Sequence, residues 1–271
     1  MRKHIFIALL SIFTQVAIAQ DLTQNFKLWN ITSLNLEVKK RNTFTVSQLS
    51  SFDVNPSKFG FGQYGLGYKR ELTDHWSVGV GYAFSRINSK TPLTYHRGHI
   101  NATHRFKFGA FRISNRVQLE QYFPGLQKFA QRGVFTNKLR YYNKKWPLRM
   151  SPYIRNQLFY YQGGTEITYW LEEEEIEELR AELEDPDDDV EDFVEQAPNG
   201  LHRYRFTAGV RARLAPRLFV SVFYTLQREF NTNLRPYRGL NVPNKSGTKI
   251  KRPFNNYSLI GMSLSYTIKI K

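Results

Sequence analysis

The sequence predicts an all-β chain folded as an antiparallel, up-and-down transmembrane β-barrel, and three observations predict it. Strand-length segments alternate apolar and polar residues from Gly60 to the last residues. Beyond the N-terminal stretch, no run is long and apolar enough for a spanning helix. Aromatic residues make up 15% of the chain, with Phe and Tyr dominant, which suits strands and interfacial girdles better than a helical bundle. Lipid offers no hydrogen-bond partners, and only helices and closed barrels satisfy all backbone groups internally. The chain therefore either spans a membrane as a barrel or is soluble outside the cytoplasm.

The N-terminus reads as a cleaved secretory signal peptide. Arg2 and Lys3 form a basic head, Ile5 to Ile12 and Val16 to Ile18 an apolar run, and Ala17-Ile18-Ala19 a small-residue cleavage site. Thr14 and Gln15 interrupt the run, leaving it short of the ~20 apolar residues a retained spanning helix needs. Residues 1–19 are thus expected to be the signal peptide and 20–271 the outer-membrane barrel.

Strands are expected over Leu28 to Val38, Thr43 to Phe52, Gly60 to Glu71, Trp76 to Ser85 and His99 to Phe108. They continue over Phe111 to Tyr122, Val134 to Lys144, Pro152 to Gln162, His202 to Leu214 and Leu218 to Phe230. A last strand places Ile260, Met262, Leu264, Tyr266, Ile268 and Ile270 on one face and Gly261, Ser263, Ser265, Thr267 and Lys269 on the other. The clearest pair flanks Ala215-Pro216-Arg217: Tyr204, Phe206, Ala208, Val210, Ala212 and Leu214 share one face, and Arg203, Arg205, Thr207, Gly209, Arg211 and Arg213 the other. These segments number eleven, and since single-chain bacterial barrels have even strand numbers, about twelve strands are expected, with ten as the alternative. The poorly patterned stretch between Asp21 and Trp29 is the candidate for the extra strand; without it, strand one runs down from an outer-side N-terminus.

Connections alternate in length, as such a barrel requires. Lys39 to Asn42, Thr73 to His75, Gly109-Ala110, Lys145 to Leu148 and Ala215 to Arg217 are short and expected on the periplasmic side. Asn88 to Gly98, Phe123 to Gly133, Gly163 to Gly200 and Asn231 to Asn255 are long and expected to face outward. Trp29, Trp76, Trp146 and Trp170, with strand-end Tyr, are expected in interfacial belts.

Gly62-Gln-Tyr-Gly-Leu-Gly-Tyr-Lys-Arg-Glu-Leu, Trp76-Ser-Val-Gly-Val-Gly-Tyr, Arg112-Ile-Ser-Asn-Arg-Val-Gln-Leu-Glu-Gln-Tyr and Arg205-Phe-Thr-Ala-Gly-Val-Arg resemble the bacterial outer-membrane β-barrel family known as domain of unknown function 2490. The likeness runs from Trp29 to Ile270 and is carried by degenerate strand patterns. The resemblance implies a barrel in Gram-negative bacteria of the Bacteroidota type, with no established activity and no catalytic residues to carry over. The acidic stretch from Trp170 to Gln196 departs from the family pattern.

The formal charge of +16 hides a segregation. Between Glu172 and Glu195 lie fifteen of the twenty-three acidic residues and one base, Arg180. The rest of the expected mature chain carries thirty-six Lys and Arg against eight acids. The insertion, residues 164–199, is expected to carry a short helix in Trp170 to Leu183, because Ile176, Leu179 and Leu183 recur at helical spacing and Pro186 ends it. The acidic loop residues singled out are Glu172, Glu173, Glu174, Glu175, Asp187, Asp188 and Asp189. Two readings stand: a solvated, partly disordered acidic loop, or a segment that folds over the barrel mouth.

Alternation assigns Arg105, Lys107, Arg112, Arg116, Lys138, Arg140, Arg155, Arg203, Arg205, Arg211 and Arg213 to the lumen, with Glu120 and Glu229 as lumenal acids. So many confined cations need counter-charge from the loop, from bound anions or from those acids. An open lumen so lined favours anions; the alternative is a plugged lumen or contacts with lipopolysaccharide phosphates at the rim.

No catalytic constellation, cofactor motif or metal site is expected. The chain has no cysteine, which removes thiolate chemistry and Cys-ligated zinc. His96, His99 and His104 are the nearest thing to a cluster, but His99 and His104 fall on opposite strand faces, so they form neither a Ser/His hydrolase site nor a metal site. Asp185 to Asp192 lacks the glycine-punctuated pattern of a calcium loop. The bases spread over every strand, and export separates the chain from nucleic acid. The first expectation is a non-enzymatic outer-membrane barrel, a narrow anion-preferring pore or envelope scaffold, with outer-membrane lipid and lipopolysaccharide as its surroundings. The alternatives are a module binding an envelope protein or a divalent ion through the acidic loop, and a lipid-active barrel enzyme.

Overall fold

The structure is a computed structural model describing residues 26–39, 41–54, 57–88, 93–126, 129–143, 145–165, 167–170, 177, 193–196, 199–229 and 257–270. Its strands are β1 (Phe26–Val38), β2 (Asn42–Asp53), β3 (Lys58–Glu71), β4 (Trp76–Ile87), β5 (Leu93–Phe108), β6 (Phe111–Leu126) and β7 (Phe129–Tyr141). They continue as β8 (Ser151–Gln162), β9 (Ile167–Trp170), β10 (Phe193–Gln196), β11 (Gly200–Ala215), β12 (Leu218–Glu229) and β13 (Tyr257–Ile270). Eleven of them close into one barrel in chain order, while β9 and β10 pair as a separate two-stranded sheet.

The barrel expected from the alternation is present, with eleven strands in place of about twelve. An up-and-down wall with an odd number of strands has its first and last strands running the same way, so the closing pair must be parallel. β1 and β13 do pair in parallel, over thirteen rungs from Phe26↔Ser258 to Val38↔Ile270. Parallel pairing is slightly weaker per residue, and polar side chains reinforce this seam: Asn35 Nδ2 donates to Ser265 Oγ at 2.9 Å, and Lys269 pairs with Glu37 at 3.0 Å. The segment from Asp21 supplies no additional described strand; its residues 26–29 open β1, and 21–25 lie outside the described residues.

The barrel has two unlike ends. At the hairpin end lie the tight β1–β2, β3–β4, β5–β6 and β11–β12 connections and the β7–β8 turn, which contains one 3-10 turn at Pro147–Arg149. Arg217, at φ 72, takes the left-handed conformation that closes the β11–β12 hairpin beside its bulge. At the loop end β1 and β13 begin, and β9 and β10 continue outward from the β8–β11 connection. Asp53 to Lys58, between β2 and β3, is short although it lies at the loop end.

The wall is polarised inside out. Its outer face carries Val46, Leu66, Val78, Val80, Ile100, Val117, Leu119, Phe135, Leu158, Val222, Ile260 and Met262, all exposed to the surroundings. Among the described residues, fourteen of the buried side chains are polar or charged against ten apolar or aromatic ones. An apolar outer face of this extent is rare on soluble monomers and is compatible with a barrel in lipid. Trp76, Phe106, Phe108 and Phe111 form an aromatic edge at the hairpin end. Trp29 does not belong to a belt: its indole N–H donates to the buried Ser51 Oγ at 3.0 Å, and its ring meets Phe61 and Tyr257 inside the barrel. Odd-numbered residues of β1 face inward, and Trp29 follows that parity rather than its nearness to the strand end.

Candidate functional site

An eleven-stranded cylinder is wider than the eight-stranded one that ordinary side chains fill, and long side chains take up the space here. Two apolar clusters occupy the interior. Phe129, Val134, Phe159 and Tyr161 form one, packed by Tyr122 and Leu126. Tyr153, Phe223, Tyr257 and Leu259 form the other, packed by Trp29 and Ile31. Glycines on the inner face make room for them: a Cβ on Gly261 would overlap the Phe223 ring.

Against the first of these clusters, at the loop end, lie two ion-pair networks. Glu120 accepts from Arg132 Nε at 2.7 Å and from the Tyr122 hydroxyl at 3.2 Å, and pairs with Arg97 at 3.3 Å; Gln118 donates to its other oxygen. Glu229 accepts from Arg203 Nε at 2.9 Å and from the Tyr161 hydroxyl at 3.0 Å. The guanidinium of Arg132 lies 5.1 Å over the Phe159 ring, and that of Arg203 5.5 Å over the same ring. Tyr161, Glu229 and Gln227 are essentially without solvent contact. One row further down, Arg205 donates to Gln227 and, at 3.1 Å, to the Tyr257 hydroxyl. Arg155 donates to Thr207 Oγ1 at 3.2 Å, which shares a 2.9 Å hydrogen bond with Thr225.

The hairpin end is different. Arg112 and Arg140 stand directly opposite each other on β6 and β7, and Lys138 stands opposite Arg155 on β7 and β8. Arg211 enters from β11, opposite Ser151. These bases lie on aromatic rings: Arg112 over Tyr142 at 4.4 Å, Lys138 over Tyr153 at 4.0 Å and Arg211 over Phe219 at 4.1 Å. Cation–π contact stabilises a guanidinium without neutralising it.

The bases assigned by alternation thus separate into three groups. Arg203 and Arg205 lie in the packed loop-end half. Arg112, Arg116, Lys138, Arg140, Arg155 and Arg211 lie on the wall of β6, β7, β8 and β11 below it. Arg105, Lys107 and Arg213 reach the hairpin-end rim, where Arg105 pairs with Glu71 at 3.4 Å and Arg213 donates to the Ala215 carbonyl at 3.4 Å. Alternation alone missed Arg97 and Arg132, the two partners of Glu120. Both have the lumenal parity of their strands but lie two residues ahead of the starts expected at His99 and Val134; β5 and β7 begin earlier, at Leu93 and Phe129. Arg149 was missed because it sits in a turn, where no periodicity applies.

The acidic residues Glu172, Glu173, Glu174, Glu175, Asp187, Asp188 and Asp189 lie outside the described residues, as does most of the expected helix in Trp170 to Leu183; Glu177 is helical, and Trp170 is the last residue of β9. The stem of that insertion leaves the barrel at the loop end. From Gly200 down to Arg211 the β11 strand covers about 35 Å at the usual rise per residue, so the insertion is rooted far from the hairpin-end bases. His99 lies over Gly81 inside, while His104 stacks on Trp76 at 4.7 Å and His96 bonds the Tyr82 hydroxyl on the outer face. Among the described residues no three His, Asp or Glu side chains converge as metal ligands would.

A family model described as "Protein of unknown function (DUF2490)" matches residues 26–238, which take in ten of the eleven barrel strands. No curated protein matches the chain.

Proposed function

The chain belongs to the family described as Protein of unknown function (DUF2490), and from that membership and the inside-out wall we propose that it is a non-enzymatic barrel of the Gram-negative outer membrane. Its lumen is stoppered at the loop end and cationic at the hairpin end, which makes it a scaffold and binding barrel in place of an open pore. On this reading the hairpin end faces the periplasm and the acidic insertion faces outward, since short turns lie on the periplasmic side of such barrels. Acyl chains cover the outer face, and lipopolysaccharide surrounds the loop-end rim.

The observation that carries the membrane assignment is the reversal of polarity: Val80, Ile100, Leu119 and Val222 are exposed while Glu120, Arg203, Gln227 and Glu229 are buried. The stoppered lumen is supported by the burial of Phe159, Tyr161, Tyr257 and Leu259 in the interior together with the two carboxylates. The full-length protein should sediment with outer membranes and migrate differently on a denaturing gel before and after heating. In a planar bilayer it should show no steady conductance. A chain that stays monomeric in detergent-free buffer overturns the membrane assignment, and a stable anion-selective current overturns the stopper in favour of a narrow pore, the reading that the bases of β6, β7 and β11 favour.

A further inference from the structure

Arg112, Arg140, Arg149 and Arg211 surround one cavity of about 220 Å³ at the hairpin end, with Tyr142 and Ser151 in its wall. Like charges placed directly opposite on neighbouring strands repel, and Arg112 faces Arg140 in that way. Lys138, one row deeper, has Arg155, Arg140 and Arg211 as its charged neighbours. Repulsion of this kind needs counter-charge, and the described residues do not bring it. Among the described residues the inward carboxylates are engaged elsewhere: Glu37 with Lys269, Asp53 with Lys27, Glu71 with Lys69 and Arg105, Glu120 with Arg97 and Arg132, Glu229 with Arg203.

The cluster is also held in place. Tyr142 and Phe219 support the flat faces of Arg112 and Arg211, which leaves the N–H edges for the planar, two-pronged recognition that guanidinium gives to phosphate. Arg149 reaches the cavity from a turn in which Leu148 and Arg149 both have positive φ, 50 and 48, a conformation uncommon for residues other than glycine. Backbone hydrogen bonds from Arg149 N to Trp146 O, 2.9 Å, and from Met150 N to Pro147 O, 3.0 Å, fix that turn.

We propose that the hairpin-end mouth of the lumen is a binding site for one compact phosphate-bearing anion, gripped by Arg112, Arg140, Arg149 and Arg211. The cavity is smaller than the ~300–1,000 Å³ of sites for drug-sized ligands, which selects a phosphate, a pyrophosphate or a single phosphomonoester headgroup. Two sources present that chemistry at this end of a barrel: a soluble phosphate compound and the headgroup of an anionic phospholipid. The inference rests on the barrel reading in one respect, that acyl chains are kept off the inner face.

The test uses the full-length protein in phosphatidylcholine nanodiscs, with inorganic pyrophosphate as the soluble probe and nanodiscs containing phosphatidic acid as the lipid probe. Calorimetric titration should give one pyrophosphate per chain, weakened by added salt and at least tenfold weaker in Arg112→Gln and Arg211→Gln, while Lys58→Gln at the loop end binds as the parent does. If the lipid is the source, phosphatidic acid raises the melting temperature of the parent, and does not do so in those two variants, while pyrophosphate has little effect. Arg140→Gln provides a readout that misfolding would not mimic: without anion it should melt higher than the parent, and with saturating anion lower. The inference is overturned if neither probe binds or stabilises the parent, or if the Arg112→Gln and Arg211→Gln variants respond as the parent does. If the chain proves soluble without detergent, the same titration in buffer decides the anion site independently of the membrane assignment.

Discussion

At the loop end Arg132 and Arg203 are buried against Glu120 and Glu229, whereas at the hairpin end Arg112, Arg140 and Arg211 converge on a cavity whose wall, among the described residues, holds no carboxylate. Both regions place guanidinium groups inside the same cylinder and both support them on aromatic rings. They differ in where the counter-charge comes from. The loop-end half carries its own, with Glu120 paired to Arg97 and Arg132 and Glu229 to Arg203, and it behaves as a core. The hairpin-end half is incomplete as protein alone, and rings that hold cations in place do not cancel their charge. A cationic lumen is therefore not one functional unit: one part closes the barrel, and the other awaits a ligand.

Substitutions in the loop-end half carry the largest expected effect. Replacing Glu229 or Glu120 by Ala leaves buried arginines without their partner, which in other proteins costs about 3–5 kcal/mol. The urea midpoint of the refolded barrel, followed by tryptophan fluorescence, should fall steeply for both variants. A small change would mean that this half is wet. Packing is the next test, since Gly261→Val drives a side chain into Phe223 and overpacking costs about 1–3 kcal/mol. The same substitution at Ser263, two residues nearer the hairpin end, should cost less.

Arg140→Gln should act with the opposite sign: removing one member of a facing like-charged pair stabilises the phosphate-free barrel by up to about 1 kcal/mol. A loss of stability there would show that Arg140 already has a partner within the protein. Deleting residues 172–192 has the smallest expected effect, less than about 0.5 kcal/mol on wall stability, as for other surface changes away from the core. Pyrophosphate affinity should be unchanged as well. A drop in either after the deletion would show that the acidic insertion reaches into the lumen.

Much of the wall was legible because alternation records which face meets which medium. Phe111 and Arg112, or Leu214 and Arg213, are sequence neighbours of opposite polarity and opposite parity, and that is enough to sort outer from inner. The residues show eleven strand segments, and the even-number rule for bacterial barrels predicts about twelve; the parallel seam between β1 and β13 is what makes an odd number workable. Strand ends were less legible. Arg97 and Arg132 lie in polar stretches where the outward face is weakly apolar, so period two fades before the strands do.

By itself the sequence determined the barrel, the face each wall residue presents and the segregation of acidic from basic charge, because these follow from period two and composition. It could not choose which arginines meet Glu120 and Glu229, or bring Arg149 from a turn to Arg112, Arg140 and Arg211. Those depend on stagger: closing the cylinder slides each strand along its neighbour, and only the resulting register decides which of the inward residues share a level.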